Sequence, residues 1–485
     1  MKMYTLRSLV HIRVNKSLLK AYNNIYVKHT KIESSVCMKI VCKFKHTSEE
    51  LRLIESKEEK EAYQVISNQY LGVIAGGHKV FLLQPYIKWG KDKKKNTRPE
   101  LQMAESVALV ETLMYWKVID KAFAPLLSFK KKSLLGSGGL DNLVKTIQQN
   151  KQITAVFVSI NLLKHVQRME LQNILGLPVY DRYSIIIHIF RQHAKTPEAL
   201  LQVALAELPY IWKKMGEVYE QHSGQINFEE SRKKMLKARE SKLKRALDKL
   251  KEIRKGSRNR RKNYGFPSIA VVGYTNAGKS SLIKILSGDE SLKPMNQLFA
   301  TLDTISYQGL LPSRQKVLYI DTIGFIQDVP EMLLAPFMVT LEDALVSDVI
   351  IHIYDVSHPD AKAQFQHVEE IIRPMLNERQ SVIRVANKCD LIEKFDIHED
   401  MIAISCKEST GINELKLKLD EEVVKATGKS LKRIRVESGS LASIWLHKWT
   451  TVINSEPDAN NPQYVILDVL ATDLMINDFK KFLKQ

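Results

Sequence analysis

A chain of 485 residues is too long for one ordinary core, so about two to four domains are expected. Its 44% hydrophobic and 26% charged residues are those of a soluble globular protein, and no apolar run approaches the roughly 18 residues needed to cross a bilayer, which argues against a spanning helix. The formal charge of +19 is concentrated in two places: residues 1–46 hold ten Lys or Arg against the single acid Glu33, a net +9; residues 229–262 hold sixteen against five acids, a net +11; the rest sums to −1. Charge placed this way points to local electrostatic roles for one tail and one internal arm.

The tail, residues 1–46, interleaves Arg7, Arg13, Lys16, Lys20, Lys28 and Lys31 with Leu6, Leu9, Val10, Leu18, Leu19, Tyr22 and Ile25. Basic, acid-poor and amphipathic is the pattern of a mitochondrial transit segment, with the matrix as destination. A secretory signal needs an uninterrupted apolar stretch, which His11, Arg13, Asn15 and Lys16 break up. The competing reading is a disordered basic tail on a cytoplasmic or nuclear protein. Four cysteines in so long a chain, Cys37, Cys42, Cys389 and Cys406, suit a reducing compartment. Cys37 and Cys42 have no second Cys or His pair at zinc-finger spacing and read as unpaired thiols.

From residue 61 to 196, strand-like runs (Val80 to Leu83, Ala155 to Ile160, Ile185 to Phe190) alternate with helical stretches (Pro99 to Leu113, Gly139 to Gln149), which predicts an α/β domain. A helical hairpin is expected over 197–262. Its first helix, Pro197 to Met215, has Pro at the first turn and Leu200, Leu201, Ala204, Leu205 and Leu208 at three- and four-residue steps. Gly216 to Phe228 reads as a loop. The second helix, Glu229 to Lys255, has Leu236, Leu243, Leu247 and Leu250 on one stripe and Lys or Arg elsewhere, so it folds back on the first and presents a surface suited to nucleic acid. Gly256 to Gly265 reads as a linker.

The most legible segment is 266–428. The strand Ser268 to Val272 runs into Gly273-Tyr274-Thr275-Asn276-Ala277-Gly278-Lys279-Ser280, followed by a helix from about Ser281, which is the context that makes a phosphate-binding loop specific. Backbone N–H groups of the loop and the helix N-terminus face the phosphates, Lys279 reaches the β- and γ-phosphates, and the Ser280 hydroxyl ligates Mg²⁺. The strand Val317 to Ile320 ends in Asp321-Thr322-Ile323-Gly324, where Asp321 can hold the magnesium shell and the Gly324 N–H can meet the γ-phosphate. Between them, in Phe299-Ala300-Thr301-Leu302-Asp303, Thr301 is the second candidate hydroxyl for Mg²⁺ and the candidate switch.

The strand Val382 to Ala386 ends in Asn387-Lys388-Cys389-Asp390. The Asp390 carboxylate can accept from both N1–H and the exocyclic amine of guanine, which adenine cannot match. Asn387 would buttress the loops, the Lys388 stem would lie along the base, and Ser405-Cys406-Lys407, after the strand Met401 to Ile404, can offer a backbone N–H to guanine O6. The four motifs in this order predict a GTPase with GTP as substrate and Mg²⁺ as cofactor. Phe325 occupies the position after the D-x-x-G glycine, where many small GTPases have a water-orienting glutamine, so hydrolysis without a partner is expected to be slow and no catalytic residue is assigned. Residues 429–485, with strands Leu431 to Val436 and Tyr464 to Val469 and a helix Ala442 to Val452, suggest a small αβ domain.

The strings GYTNAGKSSL, FATLD, DTIGF and NKCD, with VYDRYSIIIHIFRQHAKTPEALLQVALAELPY upstream, resemble the HflX family of ribosome-associated GTPases, of the Obg/HflX-like group in the TRAFAC class. The transit-like tail suggests its mitochondrial animal branch. The resemblance implies an α/β multidomain architecture: an N-terminal α/β domain with a helical hairpin, a Ras-like P-loop GTPase domain and a small C-terminal αβ domain. It also implies a factor, monomeric when free, that binds the large ribosomal subunit and its RNA and acts in ribosome splitting and recycling or in late large-subunit assembly. A hydrophobic residue at position 325 fits the family. The chain departs from it between the hairpin helices, where a glycine-rich loop is usual and Gly216 to Phe228 holds two glycines. The alternative is a GTP-gated placement factor or RNA chaperone in which turnover is incidental; membrane-surface signalling is disfavoured because the arm's apolar stripe is Leu without aromatic residues.

Overall fold

A computed structural model describes residues 57–72, 77–88, 98–219, 226–263, 266–295, 297–302, 305–327, 329, 331–377, 380–392 and 401–483. The transit-like tail, Cys37, Cys42 and Asp303 lie outside the described residues. Met1–Lys60 forms one unit, of which only 57–60 are described, and Glu61–Gln485 forms another.

After helix α1 (Lys57–Leu71), the first sheet joins β1 (Lys79–Ile87), β2 (Lys117–Leu126), β3 (Ala155–Val158) and β4 (Val179–Tyr180), all parallel, in the order β2-β1-β3-β4. Helices α2 (Pro99–Thr112), α3 (Ser137–Gln149) and α4 (His165–Leu175) make the crossovers. Parallel strands covered on both faces read as continuous apolar runs, and Val80 to Leu83 and Ala155 to Val158 are buried at every position.

One expected strand is a helix. Ile185 to Phe190 belongs to α5 (Arg182–His193), and Ile185, Ile186, Ile187, His188, Ile189 and Phe190 are all completely buried. A helix covered on all sides shows no amphipathic period, so its β-branched run mimics a strand. What starts it is a capping box: Asp181 accepts from the Ser184 N–H, and the Ser184 hydroxyl reaches back to residue 181.

The hairpin consists of α6 (Pro197–Tyr219) and α7 (Ile226–Asn263). The loop expected over Gly216 to Phe228 is thus helical through Tyr219 and again from Ile226. The last turn of α6 is held because Glu217 accepts from the His165 N–H and the buried Lys214 ammonium donates to the Leu163 carbonyl. The expected linker Gly256 to Gly265 is likewise helical through Asn263; one interior glycine costs about 1 kcal/mol, too little to end a helix otherwise rich in Lys and Arg. Leu236, Leu243 and Leu247 are buried, and Arg254 pairs with Glu198 of α6, which fixes α7 along α6.

The second sheet has the order β10-β9-β8-β5-β7-β6, from β5 (Ser268–Gly273), β6 (Ile305–Leu310), β7 (Lys316–Asp321), β8 (Val349–Asp355), β9 (Ser381–Asn387) and β10 (Met401–Ala403). Only the edge strand β6 is antiparallel to its neighbour. Helices α8 (Lys279–Ser287), α9 (Glu331–Leu345), α10 (Ala361–Ile372) and α11 (Ile412–Thr427) complete it, and α9 packs against α6.

The third sheet, β11 (Ser430–Glu437), β12 (Thr451–Pro457) and β13 (Tyr464–Ala471), is antiparallel in the order β11-β13-β12. Helices α12 (Leu441–Trp449) and α13 (Asp473–Phe482) pack on it around Val436, Leu446, Leu467, Val469 and Phe479. The helix expected to reach Val452 stops at Trp449, because Thr451 and Val452 pair with Leu470 and Val469 as the start of β12. Among the described residues no helix is long and apolar enough to cross a membrane.

Candidate functional site

The parallel strands of the second sheet end on one side, and the loops that leave them carry the motif residues, as ligand-binding loops do at the carboxyl ends of open α/β sheets. From β5, Gly273 enters a loop whose two glycines have no room for a side chain. A Cβ on Gly273 would lie 2.1 Å from the Ile353 carbonyl oxygen; Gly278, at φ +99°, would place one 2.2 Å from Asn387 Nδ2. Helix α8 starts at Lys279, two residues before the expected Ser281, and no side chain caps it, so its first-turn N–H groups face the cleft lined by Asn276, Gly278, Lys279, Ser280, Ser281 and Thr301.

Lys279 is buried. Its ammonium donates to the carbonyls of Gly273 (3.3 Å) and Tyr274 (2.9 Å), and burial pushes it down to about 8 against the attraction of Asp321. Asp321, at the end of β7, gathers the two hydroxyls singled out for the metal: Ser280 donates to Oδ2 at 2.6 Å and Thr301 at 3.1 Å, with the two hydroxyls 3.1 Å apart. The other oxygen, Oδ1, is buried without a hydrogen-bond partner among the described residues, and burial raises this carboxyl above its ordinary range against the hydrogen bond from Ser280. A carboxylate with one unsatisfied oxygen and two adjacent hydroxyls is a hard-oxygen donor set of the kind Mg²⁺ takes.

Not every expected residue turns toward the cleft. The Thr322 hydroxyl is buried and donates to the Val271 carbonyl at 2.7 Å, tying β7 to β5. Tyr274 points the opposite way: its hydroxyl donates to Glu105 (2.7 Å) and accepts from the Gln327 N–H (2.7 Å). Thr275 Oγ1 is buried without a partner among the described residues, and Ala277 is buried in the loop. Gly324 sits where a Cβ would be 2.9 Å from Lys279 Nζ. Phe325 is buried, and its backbone pairs with the loop, N–H to Gly273 O at 3.1 Å and carbonyl from Thr275 N–H at 2.7 Å.

Three further loops meet behind Gly278. Asn387, at the end of β9, donates to the Ala277 carbonyl (2.8 Å) and accepts from the Cys406 N–H (3.1 Å), so one side chain joins the phosphate loop to the Ser405-Cys406-Lys407 turn. Asp390 accepts from the Ser405 hydroxyl at 2.7 Å, which fixes its orientation. Lys388, at φ +65°, pairs with Asp355 at 2.6 Å. Lys407 is exposed, and the Cys406 thiol is pushed up to about 12 by burial, so it stays protonated and unreactive. Sequence reasoning missed Asp355, Glu105, Arg182 and Gln327. Asp355 had a signal, an acid at the end of an apolar strand; the others are brought to the site only by tertiary packing.

Three family models match in succession: "GTP-binding GTPase N-terminal" over residues 100–191, "GTP-binding GTPase Middle Region" over 193–261 and "50S ribosome-binding GTPase" over 268–388. The human GTP-binding protein 6 is 39% identical over 396 residues, covering 78% of this chain and 76% of its own. The protein of the same name from Xenopus laevis is 37% identical, covering 82% and 79%. The GTPase HflX of Caldanaerobacter subterraneus is 33% identical over 322 residues, covering 62% and 74%. With the nucleotide loops on the second sheet and the capped helix and hairpin ahead of them matched in one unbroken order, the chain belongs to the HflX family of GTPases.

Proposed function

We propose that this protein is a GTP-hydrolysing factor of the large ribosomal subunit, acting in mitochondria in ribosome splitting and recycling or in late subunit assembly. The observation that carries the reading is the convergence of Lys279, Ser280, Thr301 and Asp321 with the loops of Asn387, Asp390 and Ser405 at one end of one sheet. The phosphates would lie on the N–H groups of residues 275–281 beside Lys279. Ser280 and Thr301 would hold Mg²⁺, with Asp321 orienting their hydroxyls; such an ion would supply positive charge to offset charge developing on the phosphate. Asp390 would select guanine, and Asn387 would keep the base and phosphate loops in register. Thr301, whose hydroxyl already lies 3.1 Å from both Ser280 and Asp321, would be the switch if loss of the γ-phosphate releases its segment. The closed environment of Phe325 supports slow hydrolysis without a partner, and it is also what favours the second reading, a placement factor for which GTP is a structural ligand.

The basic arm supplies the RNA contact in this reading. Lys237, Arg245 and Lys249 are exposed along one side of α7. Replacing all three by Ala should weaken RNA binding and lower the slope of log K against log salt by about 2 to 3, at 0.7 to 0.9 per phosphate contact. A salt titration with structured RNA checks this; an unchanged slope puts the contact elsewhere. Co-sedimentation with mitochondrial large subunits, using protein without residues 1–46, tests the whole proposal. Retention with a non-hydrolysable GTP analogue and release with GDP is expected, and no retention in either state overturns it.

A pH dependence follows from Lys279. Phosphate beside the ammonium favours its charged form, so its pKa rises on binding from about 8 and a proton is taken up above that value. The Lys279 contribution to GTP affinity should therefore be flat below pH 7 and fall by up to about tenfold per pH unit between 8 and the bound-state pKa. Titration calorimetry in buffers of different ionisation enthalpy reads the proton uptake directly; a flat affinity to pH 9.5 would contradict it.

A further inference from the structure

We infer that Arg182 and His193, at opposite ends of helix α5, are positioning residues for GTP hydrolysis: each holds a backbone carbonyl of one of the two segments that carry Asp321–Phe325 and Thr301. The inference rests on the nucleotide-site reading above and assigns to the first sheet a part in the reaction.

At the N-terminal end of α5, Arg182 Nη2 donates to Glu105 Oε1 at 2.6 Å and to the Gln327 carbonyl at 3.1 Å. The other Glu105 oxygen accepts from the Tyr274 hydroxyl, which accepts from the Gln327 N–H. Both polar backbone groups of Gln327 are thereby held, one by Arg182 and one by Tyr274, with Glu105 closing the ring. The guanidinium is itself anchored in the first sheet. Its Nη1 donates to Ser106 at 3.4 Å, and Ser106 is bonded to Ser159 at 2.7 Å and to Gln84. Gln327 lies two residues beyond Phe325, so the segment from Asp321 is pinned at the phosphate loop and again at Arg182.

At the other end, His193 Nδ1 donates to the Phe299 carbonyl at 2.7 Å. Phe299 has φ +53°, a conformation that side chains rarely adopt, and its ring is buried edge-on against Phe190 of α5 at 5.0 Å. It lies two residues before Thr301. One helix, about 16 Å from Arg182 to His193, therefore sets the spacing of both segments across the site. Phe190 also packs on Phe337 of α9, the helix that follows Gln327. Groups fixed in this way are preorganised, and a displacement of about 1 Å in a catalytic constellation can cost about a hundredfold in rate. Neither residue contacts the cleft itself, so their loss should spare the binding of GDP.

The test uses the full chain in single-turnover GTP hydrolysis, with GTP and GDP affinities and the thermal midpoint measured alongside. Because Arg182→Ala leaves the half-buried Glu105 without its cation and can destabilise the fold, Arg182→Lys, which keeps the charge but loses the fork, is paired with His193→Ala and His193→Asn. Arg182→Lys and His193→Ala should each slow the hydrolytic step roughly 10- to 100-fold while GDP affinity stays within about twofold. His193→Asn, whose amide N–H sits where Nδ1 does, should recover most of the rate. Unchanged or faster hydrolysis in both variants, equal losses in rate and GDP affinity, or failure of Asn to rescue would overturn the inference. Absence of GTP and GDP binding in the unaltered protein would instead remove the nucleotide-site reading.

Discussion

Asp390→Asn should weaken GTP binding by roughly 10²- to 10⁴-fold and move the preference to xanthosine nucleotides. The carboxylate is acceptor-only, and the Ser405 hydroxyl at 2.7 Å fixes its plane by holding Oδ1. Guanine presents two parallel donors, N1–H and the 2-amino group, to such an acceptor. In Asn one oxygen becomes an NH₂, so one charge-assisted bond is lost and a donor faces a donor; charged hydrogen bonds contribute about 1.5–3 kcal/mol each. Xanthine carries a carbonyl where guanine has the amine and restores complementarity to the amide. Competition of GTP and XTP against a fluorescent GDP analogue measures the change. Retained GTP affinity would mean that Asp390 does not read the base.

Lys279→Ala should abolish productive GTP binding, with a loss of roughly 10³-fold in affinity and no detectable hydrolysis. The ammonium is enclosed by the Gly273 and Tyr274 carbonyls and lies close to Gly324, so no mobile cation can take its place. Its removal also deprives the buried Asp321 of an attracting charge, and Asp321 orients both candidate metal-binding hydroxyls. Lys279→Arg should not rescue: a planar guanidinium is wider than the space between two carbonyls and a glycine, where a Cβ at Gly324 would already stand 2.9 Å from Nζ. Nucleotide binding and single-turnover hydrolysis distinguish the outcomes, and hydrolysis by either variant within tenfold of the unaltered chain would refute the role.

The phosphate loop, the Asp321 and Asn387 strand ends and the Ser405 turn were all legible in the sequence because phosphate and guanine chemistry demands short local motifs at strand ends. The hairpin was legible because a helix half-covered by its neighbour keeps a 3.6-residue leucine stripe. Helix α5 was not. Its burial on every side erased the period, and the informative signal was the Asp181–Ser184 cap rather than the run of isoleucines. Nor could spacing reveal that Glu105 and Arg182 meet at Tyr274 and Gln327, since those contacts join positions far apart in the chain. Strand β12 was missed because Thr451 and Val452 extend the apolar pattern of α12 without a break, and only pairing with β13 decides between them.

The 38 residues of α7 make a rod about 57 Å long at 1.5 Å per residue. Four residues, 264–267, separate its end from β5, the strand that delivers the phosphate loop. A tilt of about 5° at the fixed end sweeps the far end through about 5 Å at that length. Read in reverse, a push of several ångströms on the outer turns reaches the hairpin's base as a rotation small enough for packed side chains to follow without repacking. Were a bulky partner to load those turns, the arm would work as a reduction gear, turning coarse displacements into sub-ångström adjustments beside Gly273.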